Sequence, residues 1–558
     1  MTLPSPAPLT SLATTHEVLN TSRELENYNV YTSDPSLVEA LRAYGVDPTD
    51  DGLTRFGELV GESEFIRHGF LANENKPVFH THDRFGHRID QVDYHPSYHV
   101  LMDTSIRHGL HSLPWTDQRN NAHVYRAAHS YLMAQMEAGH GCPITMTFAC
   151  APTLKKQPDI AAQWLPKITA HHYDPRNIGY QHKQGLTIGM AMTEKQGGSD
   201  VRSNTTRAFP VGQGGPGKLY QLVGHKFFMS APMCDAFLAL AYTDKGLSCF
   251  LMPRWNEDGS KNHVHIQQLK DKMGNVSNAS SEVEFRGAKA WLIGDEGRGV
   301  ANILEMVALT RFDCLVGSAS SMRQCTAQAV FHCANRAAFG KLLIEQPLMR
   351  NVLADLAVES DAALHLWLRV ANALDEQSNP QQAAFLRIAT AIGKYWVCKR
   401  SPGHAYEAME CIGGSGVMER CIMPRLYREA PINTIWEGSG NVQCLDVMRA
   451  MEKSPECVEA LFSELAQSQG HDTQLDALVL SIKRHLSNTD EIEWRARQTV
   501  EDMALALQAS LLVRHGHSAT AEAFLATRLG SQQRGLVYGT IPQGIQVDSI
   551  IERALAAR

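Results

Sequence analysis

The chain has 558 residues, of which 44% are hydrophobic and 20% charged, and its formal net charge at pH 7 is −7. This length and composition predict several packed domains and exclude wholesale disorder. No run of Lys and Arg indicates a nucleic-acid or anionic-membrane surface. No apolar stretch is long enough to span a bilayer, and no basic, apolar leader opens the chain, so we expect a cytoplasmic protein. The twelve cysteines include no Cys-x-x-Cys pair, which is typical of scattered reduced thiols.

The first part of the chain, residues 1–185, predicts an N-terminal arm followed by a helical domain. Pro4, Pro6 and Pro8 lie in the arm. Apolar residues then recur at helical spacing over residues 56–71, 97–109 and 121–139. The stretch between the first two of these helices is rich in histidine: His80, His82, His87, His95 and His99. Their spacing is not that of a zinc site, so we predict a surface loop and no metal.

The period of the apolar residues changes near residue 186. Residues 186–292 predict a small all-β domain, because turn clusters separate short apolar or alternating runs. These runs cover residues 220–223, 237–242, 247–252 and 283–285. Residues 212–218 have the spacing of a phosphate-binding loop, but Leu219 replaces the required hydroxyl residue and a strand follows. We therefore predict a hairpin turn at this position.

Helical spacing returns from residue 300 onward and predicts a helical bundle over residues 293–455. Its long helices are predicted over residues 301–337, 346–375 and 381–409. Residues 412–416, Ile-Gly-Gly-Ser-Gly, interrupt the pattern and lack the preceding strand of a dinucleotide fingerprint. Residues 456–558 add a helical tail with nine Lys and Arg and thirteen Asp and Glu, a formal charge of −4.

One carboxylate stands out in the sequence of residues 435–441, Ile-Trp-Glu-Gly-Ser-Gly-Asn. Glu437 lies between an apolar pair and glycines that cannot shield it, and an apolar helical pattern follows, which Ser439 or Asn441 would cap. This arrangement suits a desolvated general base beside a flat substrate. An ordinary solvated Glu at a helix entry fits the same residues, and both interpretations stay open at this point.

Two stretches of the predicted β domain suit a planar ligand. In residues 192–200, Met-Thr-Glu-Lys-Gln-Gly-Gly-Ser-Asp, small residues permit close approach of the backbone, and Thr193 and Ser199 offer hydroxyls. In residues 224–230, Gly-His-Lys-Phe-Phe-Met-Ser, an aromatic and a hydroxyl could line the same surface. Turns and caps would explain either stretch alone.

Together, in this order and spacing, these stretches resemble the acyl-CoA dehydrogenase family. Residues 336–340, Arg-Ala-Ala-Phe-Gly, are similar to its Arg-x-x-Phe-Gly motif, and residues 413–416 to its Gly-Gly-x-Gly motif. Residues 436–438, Trp-Glu-Gly, are similar to its aromatic-Glu-Gly motif. The resemblance implies an α+β fold: an N-terminal helical domain, a middle β-barrel domain and a C-terminal helical bundle, here with an additional helical tail domain.

The resemblance also implies FAD as cofactor and the α,β-desaturation of an acyl thioester. Glu437 would remove the α proton while the β hydrogen leaves as hydride to flavin N5. The implied cofactor-binding residues are Met190, Met192, Thr193, Gly198, Ser199, Phe228, Met229, Ser230, Arg336, Phe339, Gly340, Gly413, Gly414, Ile435, Trp436, Gly438, Ser439 and Asn441. Ser199 and Arg311 are the candidate substrate contacts, although Arg311 could equally meet a carboxylate, a phosphate or Asp313.

The implied partners are an acyl-CoA or related thioester, an unidentified electron acceptor and three further copies of the chain in a homotetramer. The similarity is strongest to family members of the bacterial alkylation-damage response, whose tail domain has been linked to duplex DNA. A second hypothesis is therefore a flavin-containing, DNA-associated protective protein with weak or no dehydrogenase turnover. The acidic tail argues against it, because nonspecific DNA affinity depends on cationic phosphate contacts.

Overall fold

The computed structural model describes residues 15–488, 490–530 and 537–557. Pro4, Pro6 and Pro8 of the predicted arm lie outside these residues. The α-helices are α1 Pro35–Ala43, α2 Asp51–Gly61, α3 Ser63–Glu74, α4 Pro96–Arg107, α5 Leu113–Thr116, α6 Ala122–Met136, α7 Gly141–Leu154, α8 Pro158–Ile168, α9 Gly299–Asn335, α10 Pro347–Asp375, α11 Pro380–Ile412, α12 Met423–Glu429, α13 Ile432–Ile435, α14 Gly440–Lys453, α15 Glu456–Ala466, α16 Thr473–Ser487, α17 Ala496–His515, α18 Ser518–Phe524 and α19 Val547–Ala554.

The β-strands form two hairpins and one closed barrel. They are β1 Val78–His82, β2 Arg88–Asp93, β3 Ile188–Ala191, β4 Arg207–Pro210, β5 Leu219–Ser230, β6 Ala236–Thr243, β7 Gly246–Pro253, β8 Val264–Leu269, β9 Ser280–Ile293, β10 Ala337–Ala338 and β11 Lys341–Leu342. The barrel order is β3-β6-β4-β5-β9-β7, β6 also pairs with β7, and β8 pairs with β9. The four strands predicted from the apolar runs are confirmed as parts of β5, β6, β7 and β9.

Short helical turns lie between the longer elements of all parts of the chain. Single 3-10 turns cover Tyr180–His182, Val201–Ser203, Leu343–Glu345 and Gly413–Val417, and a π-helical turn covers Leu525–Leu529. The predicted interruption after α11 is therefore a 3-10 turn. The predicted hairpin turn at residues 212–218 is confirmed, because it joins the antiparallel strands β4 and β5.

The three long helices α9, α10 and α11 form the centre of the C-terminal bundle. Leu364, Leu368, Ala371 and Leu374 of α10 are all buried, as their helical spacing predicts. Of the tail helices, α15, α17, α18 and α19 pack against α10 or α11, and α16 packs against α17. Part of this contact is polar, because Arg528 forms ion pairs with Asp355 at 2.7 Å and with Glu359 at 2.8 Å. Among the described residues, no helix combines the length and the apolar character that a membrane crossing requires.

The prediction of a surface loop for the histidine-rich stretch is wrong. Residues 78–93 form the hairpin β1–β2, whose turn is held by Asp83 Oδ1, which accepts hydrogen bonds from the N–H groups of Phe85 (2.8 Å) and His87 (2.9 Å). Most of β1 is exposed, so its residues lack the alternation that marks a half-buried strand. Within the described residues, no group of His, Cys, Asp and Glu could hold a metal ion.

The helix predicted over residues 56–71 is also different in the structure. The chain forms two helices, α2 and α3, separated by Glu62, whose φ of −66° and ψ of 140° are extended. The apolar spacing continues across the break, because both helices bury one face: Phe56 in α2 and Phe65 in α3. A break of one residue between two helices does not interrupt the apolar spacing, so the sequence pattern does not reveal it.

Candidate active site

Glu437 lies on the short loop between α13 and α14. Its φ is +57°, in the left-handed region that side chains rarely adopt, and Gly438 follows with φ +98°. A non-glycine residue in this region costs about 1–3 kcal/mol, and such residues cluster at functional sites. The surrounding structure must therefore hold the loop in place.

Three side chains from neighbouring helices hold this loop by its carbonyl groups. Lys394 Nζ of α11 donates to the carbonyls of Asn433 (3.0 Å) and Gly438 (2.8 Å). Gln443 Nε2 of α14 donates to the carbonyl of Gly438 at 2.9 Å, and Arg311 Nε of α9 to that of Glu437 at 2.8 Å. The loop therefore has a fixed conformation despite its strain.

The carboxylate of Glu437 receives one side-chain hydrogen bond. Thr310 Oγ1 of α9 donates to Glu437 Oε2 at 2.7 Å. Burial raises the pKa of Glu437 above its usual range, although the Thr310 hydroxyl and the charges of Lys394 and Arg311 oppose this rise. Among the described residues, no group donates to Oε1, so one carboxylate oxygen is available to a ligand.

The flanking residues of this loop differ in their roles. Trp436 Nε1 donates to Asn433 Oδ1 at 2.9 Å, whereas the Ile435 side chain is exposed. Ser439 occupies the N-cap position of α14, but its side chain makes no capping hydrogen bond. Asn441 Oδ1 accepts from Arg497 Nε of the tail helix α17 at 2.8 Å. Ser439 is therefore the N-cap residue, as one of the two predicted alternatives had it, but its side chain does not supply the expected hydrogen bond, and Asn441 lies within α14.

The two predicted ligand-binding stretches of the β domain lie side by side. The N–H of Phe227 donates to the carbonyl of Thr193 at 2.8 Å. Next to this bond, Lys226 Nζ and Glu194 Oε1 form a fully buried ion pair at 2.8 Å. Burial would raise the pKa of Glu194, but the Lys226 ammonium and further hydrogen bonds hold it at about 2. The pair therefore joins β5 to the segment that follows β3.

The predicted ligand-binding residues of these two stretches, and Met190 before them, range from buried to exposed. Met190 of β3 and Met229 of β5 are buried, and Met192, Thr193 and Ser230 are partly buried. Gly198 and Ser199 are exposed, as is 42% of Phe228. The hydroxyls of Thr193 and Ser199 make no hydrogen bond within the described residues. The two joined stretches thus carry an exposed aromatic ring and two hydroxyls without a partner in the described residues.

Cys142, at the start of α7, connects this surface to Glu437. Burial raises the pKa of the Cys142 thiol to about 12, and Glu437 also contributes to this rise. The hydroxyl of Ser230 contacts the same thiol and acts in the opposite direction. Ser230 of the barrel and Glu437 of the bundle loop therefore both lie near Cys142, and we call the region between these two groups the cleft.

The remaining predicted cofactor residues lie elsewhere on the surface of the bundle. Arg336 follows α9 and donates to the carbonyl of Asn20. Phe339 and Gly340 form the turn of hairpin β10–β11, where the Phe339 side chain is wholly exposed and its φ is +52°. Gly413 and Gly414 are exposed at the end of α11. In the described part of the chain, no hydrogen bond joins these residues to the cleft.

Arg311 has carboxylate and carbonyl partners within the chain. Its Nη1 pairs with Asp446 at 2.8 Å, and Asp313 pairs instead with Arg126. Thr310 and Lys394, which contact the Glu437 loop, were not among the residues singled out from the sequence. Thr310 precedes Arg311 in an apolar helix, so only its position one residue from a candidate could have identified it.

Three segments of the chain match family models. Residues 20–175 match the domain described as "Adaptive response protein AidB N-terminal domain". Residues 189–288 match the middle domain of acyl-CoA dehydrogenase, and residues 297–452 its C-terminal domain. The Escherichia coli protein "Putative acyl-CoA dehydrogenase AidB" is 44% identical over 479 residues, which are 86% of this chain and 88% of that protein. The chain belongs to the acyl-CoA dehydrogenase family.

Other family members share the architecture. "Acyl-CoA dehydrogenase family member 11" of Caenorhabditis elegans is 29% identical over 88% of this chain and 79% of its own length. The structure of C. elegans ACDH-11 in complex with C11-CoA covers 98% of this chain and 94% of its own, with a TM-score of 0.83 and 25% identity. An acyl-CoA dehydrogenase complexed with FAD from Bacillus anthracis has the same fold, with a TM-score of 0.61, 17% identity and 77% of each chain covered.

Members of the acyl-CoA dehydrogenase family bind FAD, and the residues of the cleft fit this group. A planar ring needs an aromatic or apolar face, which the partly exposed Phe228 and Met192 provide. Its polar edge needs hydrogen-bonding groups, and the unpaired hydroxyls of Thr193 and Ser199 are such groups. The exposed Gly198 adds no side chain that would obstruct the approach of a ligand.

Proposed function

We propose that the chain is an FAD-dependent acyl-CoA dehydrogenase that desaturates an acyl thioester between its α and β carbons, with Glu437 as the base. The observation that carries this proposal is the Glu437 carboxylate, which is held on a strained loop with one oxygen bonded to Thr310 and the other free. The bound thioester would displace water and desolvate the carboxylate further. Its basicity would then suit the weakly acidic α proton.

Two groups of Glu437 would act on the substrate. Oε1 would accept the α proton. The backbone N–H of Glu437, which makes no hydrogen bond within the described residues, would donate to the thioester carbonyl and stabilise the charge that develops there. When bound, FAD supplies the acceptor for the hydride that leaves the β carbon.

The residues around the cleft would hold the flavin. We assign Thr193 and Ser230 to its polar edge and Phe228 to one face of the ring. Met190, Met192, Gly198, Met229, Ile435, Trp436, Gly438, Ser439 and Asn441 complete the proposed set around the ring. Arg336, Phe339, Gly340, Gly413 and Gly414 are proposed for the pyrophosphate and adenosine half, in a site shared with another copy of the chain.

The thioester substrate is proposed from similarity and from the position of Ser199. The C. elegans relative was solved with C11-CoA, which supports an acyl-CoA substrate here. Ser199 is exposed near the flavin surface and is proposed to contact the incoming thioester. Arg311 is proposed to act on the substrate only through the Glu437 carbonyl, because its charge is paired with Asp446.

The oligomeric state and location are also part of the proposal. We propose a homotetramer in the cytoplasm. The wholly exposed Phe339 supports association, because a second copy of the chain would cover this apolar side chain.

A second candidate function is a DNA-associated protein of the alkylation response with little thioester turnover. It is favoured only by the similarity to AidB, including the adaptive-response description of the N-terminal domain. The formal charge of −4 on residues 456–558 argues against it, because duplex DNA requires cationic contacts.

Anaerobic titration with a panel of acyl-CoAs tests the proposal. The purified protein should be yellow with one FAD per chain, and at least one thioester should bleach the flavin. A protein that retains FAD but is not bleached by any thioester would overturn the dehydrogenase proposal and leave the second candidate. A colourless protein that cannot be reconstituted with FAD would overturn both.

A further inference from the structure

Lys272 lies beside the cleft and has no assigned role. It belongs to the loop between β8 and β9, and its Nζ donates to the carbonyl of Asn278 at 2.6 Å and to Ser280 Oγ at 2.8 Å. No carboxylate of the described residues forms an ion pair with it. A third, longer contact joins Nζ to Asn275 Oδ1 at 3.5 Å. Because an ammonium group can only donate, each of these three oxygens accepts from Lys272.

A second hydrogen bond extends from Ser280 to the cleft. Ser280 Oγ and Ser230 Oγ are 2.9 Å apart, on residues that are directly paired across β9 and β5. An ammonium group can only donate, so Ser280 Oγ accepts from Lys272, and the Ser280 hydrogen remains available for donation to Ser230. When Ser280 donates to Ser230, the hydrogen of Ser230 is directed elsewhere.

The hydrogen of Ser230 has two available directions. One is the thiol of Cys142, which burial keeps protonated and which is a weak acceptor. The other is the cleft, since Ser230 is partly exposed and lies two residues after the exposed ring of Phe228. An oxygen or ring nitrogen of a ligand in the cleft is the stronger acceptor.

We propose that Lys272 is a positioning residue that, through Ser280, fixes the Ser230 hydroxyl as a hydrogen-bond donor toward the flavin in the cleft. This inference rests on the proposed function. The chain Lys272–Ser280–Ser230 also places a positive charge two hydroxyl groups from the ring. Both effects favour the reduced flavin, which has the more electron-rich ring.

The charge of Lys272 at neutral pH is consistent with this role. Burial lowers the pKa of Lys272 to about 8, and Cys142 and Glu429 act in the opposite direction. A pKa of about 8 leaves most of the lysine protonated at pH 7. The neighbouring Glu429 accepts a hydrogen bond from the N–H of Asn275 at 2.6 Å, so its partner is the loop and not the ammonium group.

The test is the midpoint potential of the bound FAD, measured by equilibration with a redox dye during enzymatic reduction without thioester. In Lys272→Met, we expect the preference for reduced over oxidised flavin to fall at least tenfold, which lowers a two-electron potential by about 30 mV. Lys272→Arg should retain most of the wild-type potential. Lys76→Met is the matched control, because Lys76 pairs with Asp271 of the same loop at 2.8 Å, and its potential should be unchanged.

Ser280→Ala provides a second test that keeps the lysine but breaks the chain of hydrogen bonds. Its potential should also fall, by less than that of Lys272→Met, and the comparison of Ser280→Ala with the wild type can be made even if Lys272→Met loses its FAD. Wild-type potentials in both Lys272→Met and Ser280→Ala would overturn the inference. A different result would overturn the proposed function: the absence of flavin bleaching by thioesters in the wild type, whatever the midpoint potential of the flavin.

Discussion

The carboxylate of Glu437 is the single group whose loss should change the chemistry most. In Glu437→Gln the side chain keeps its shape and its contact with Thr310 Oγ1, so FAD content and melting temperature should remain close to those of the wild type. The amide cannot accept the α proton, and removing a positioned base lowers a rate by about 10²–10⁴ or more. Stopped-flow flavin bleaching by the best thioester measures this loss.

Glu429→Gln is the matched control for that experiment. Burial raises the pKa of Glu429 to about 7, and it lies eight residues before Glu437 in the chain. Its hydrogen bond is to the loop of Asn275, so bleaching should persist in this variant. If bleaching is unchanged in Glu437→Gln and lost in Glu429→Gln, the catalytic base is Glu429 and not Glu437.

Thr310 should control the pH dependence of the same step. Its hydroxyl stabilises the charged carboxylate and so lowers the pKa of Glu437 against the effect of burial. Thr310→Val removes this donor, so the pKa should rise further and the acid limb of the bleaching rate should move to higher pH. Thr310→Ser should restore the wild-type profile. A limb that stays in place or moves to lower pH in Thr310→Val would contradict this role.

At the scale of elements, the buried pair of Lys226 and Glu194 should couple strand β5 to the segment after β3. Lys226→Met leaves the carboxylate of Glu194 buried without its partner, which costs about 3–5 kcal/mol of stability. The double variant Glu194→Met with Lys226→Met should recover much of this loss. Urea denaturation of the apoprotein measures the stability, and FAD retention reports on the joined surface.

An exposed ion pair in the same barrel gives the control for that comparison. Arg207 and Asp244 are 3.2 Å apart on the surface, and pairs of this kind contribute about 0–1 kcal/mol. Arg207→Met should therefore leave stability nearly unchanged. If the two losses at Glu194 and Lys226 simply add in the double variant, the pair does not couple the two segments.

At the scale of the whole molecule, Phe339 should take part in assembly. Its side chain is wholly exposed at the tip of hairpin β10–β11, and its φ is +52°. Burial of this side chain against a second copy of the chain would explain why an apolar residue and a strained backbone occur at this tip. Phe339→Asp should shift the protein from tetramer toward smaller species in sedimentation velocity. Phe85→Asp, on the exposed hairpin β1–β2, is the control and should leave the mass unchanged. An unaltered tetramer in Phe339→Asp would remove Phe339 from the interface.

Local patterns in the sequence determined most of the architecture. Helical spacing predicted α9, α10 and α11 within a few residues, because one buried face of a long helix repeats every turn. Short apolar or alternating runs predicted parts of four barrel strands, because a strand buries one or both of its faces. The order of short motifs such as Trp436-Glu437-Gly438 identified the family. The domain limits at residues 185, 292 and 455, and the cofactor roles of the motif residues, stay predictions.

Only the tertiary structure decided which groups meet. Thr310 reaches Glu437 across 127 positions of the chain, and Lys272 reaches Ser230 through a residue of another strand. The pairing of Arg311 with Asp446 was one of several possibilities that the sequence left open. The hairpin β1–β2 was not predicted, because an exposed strand buries no face that could impose alternation. The periodicity of a sequence shows which residues of an element are buried. It does not show which residues distant in sequence come into contact, because that depends on how the buried faces of different elements pack together.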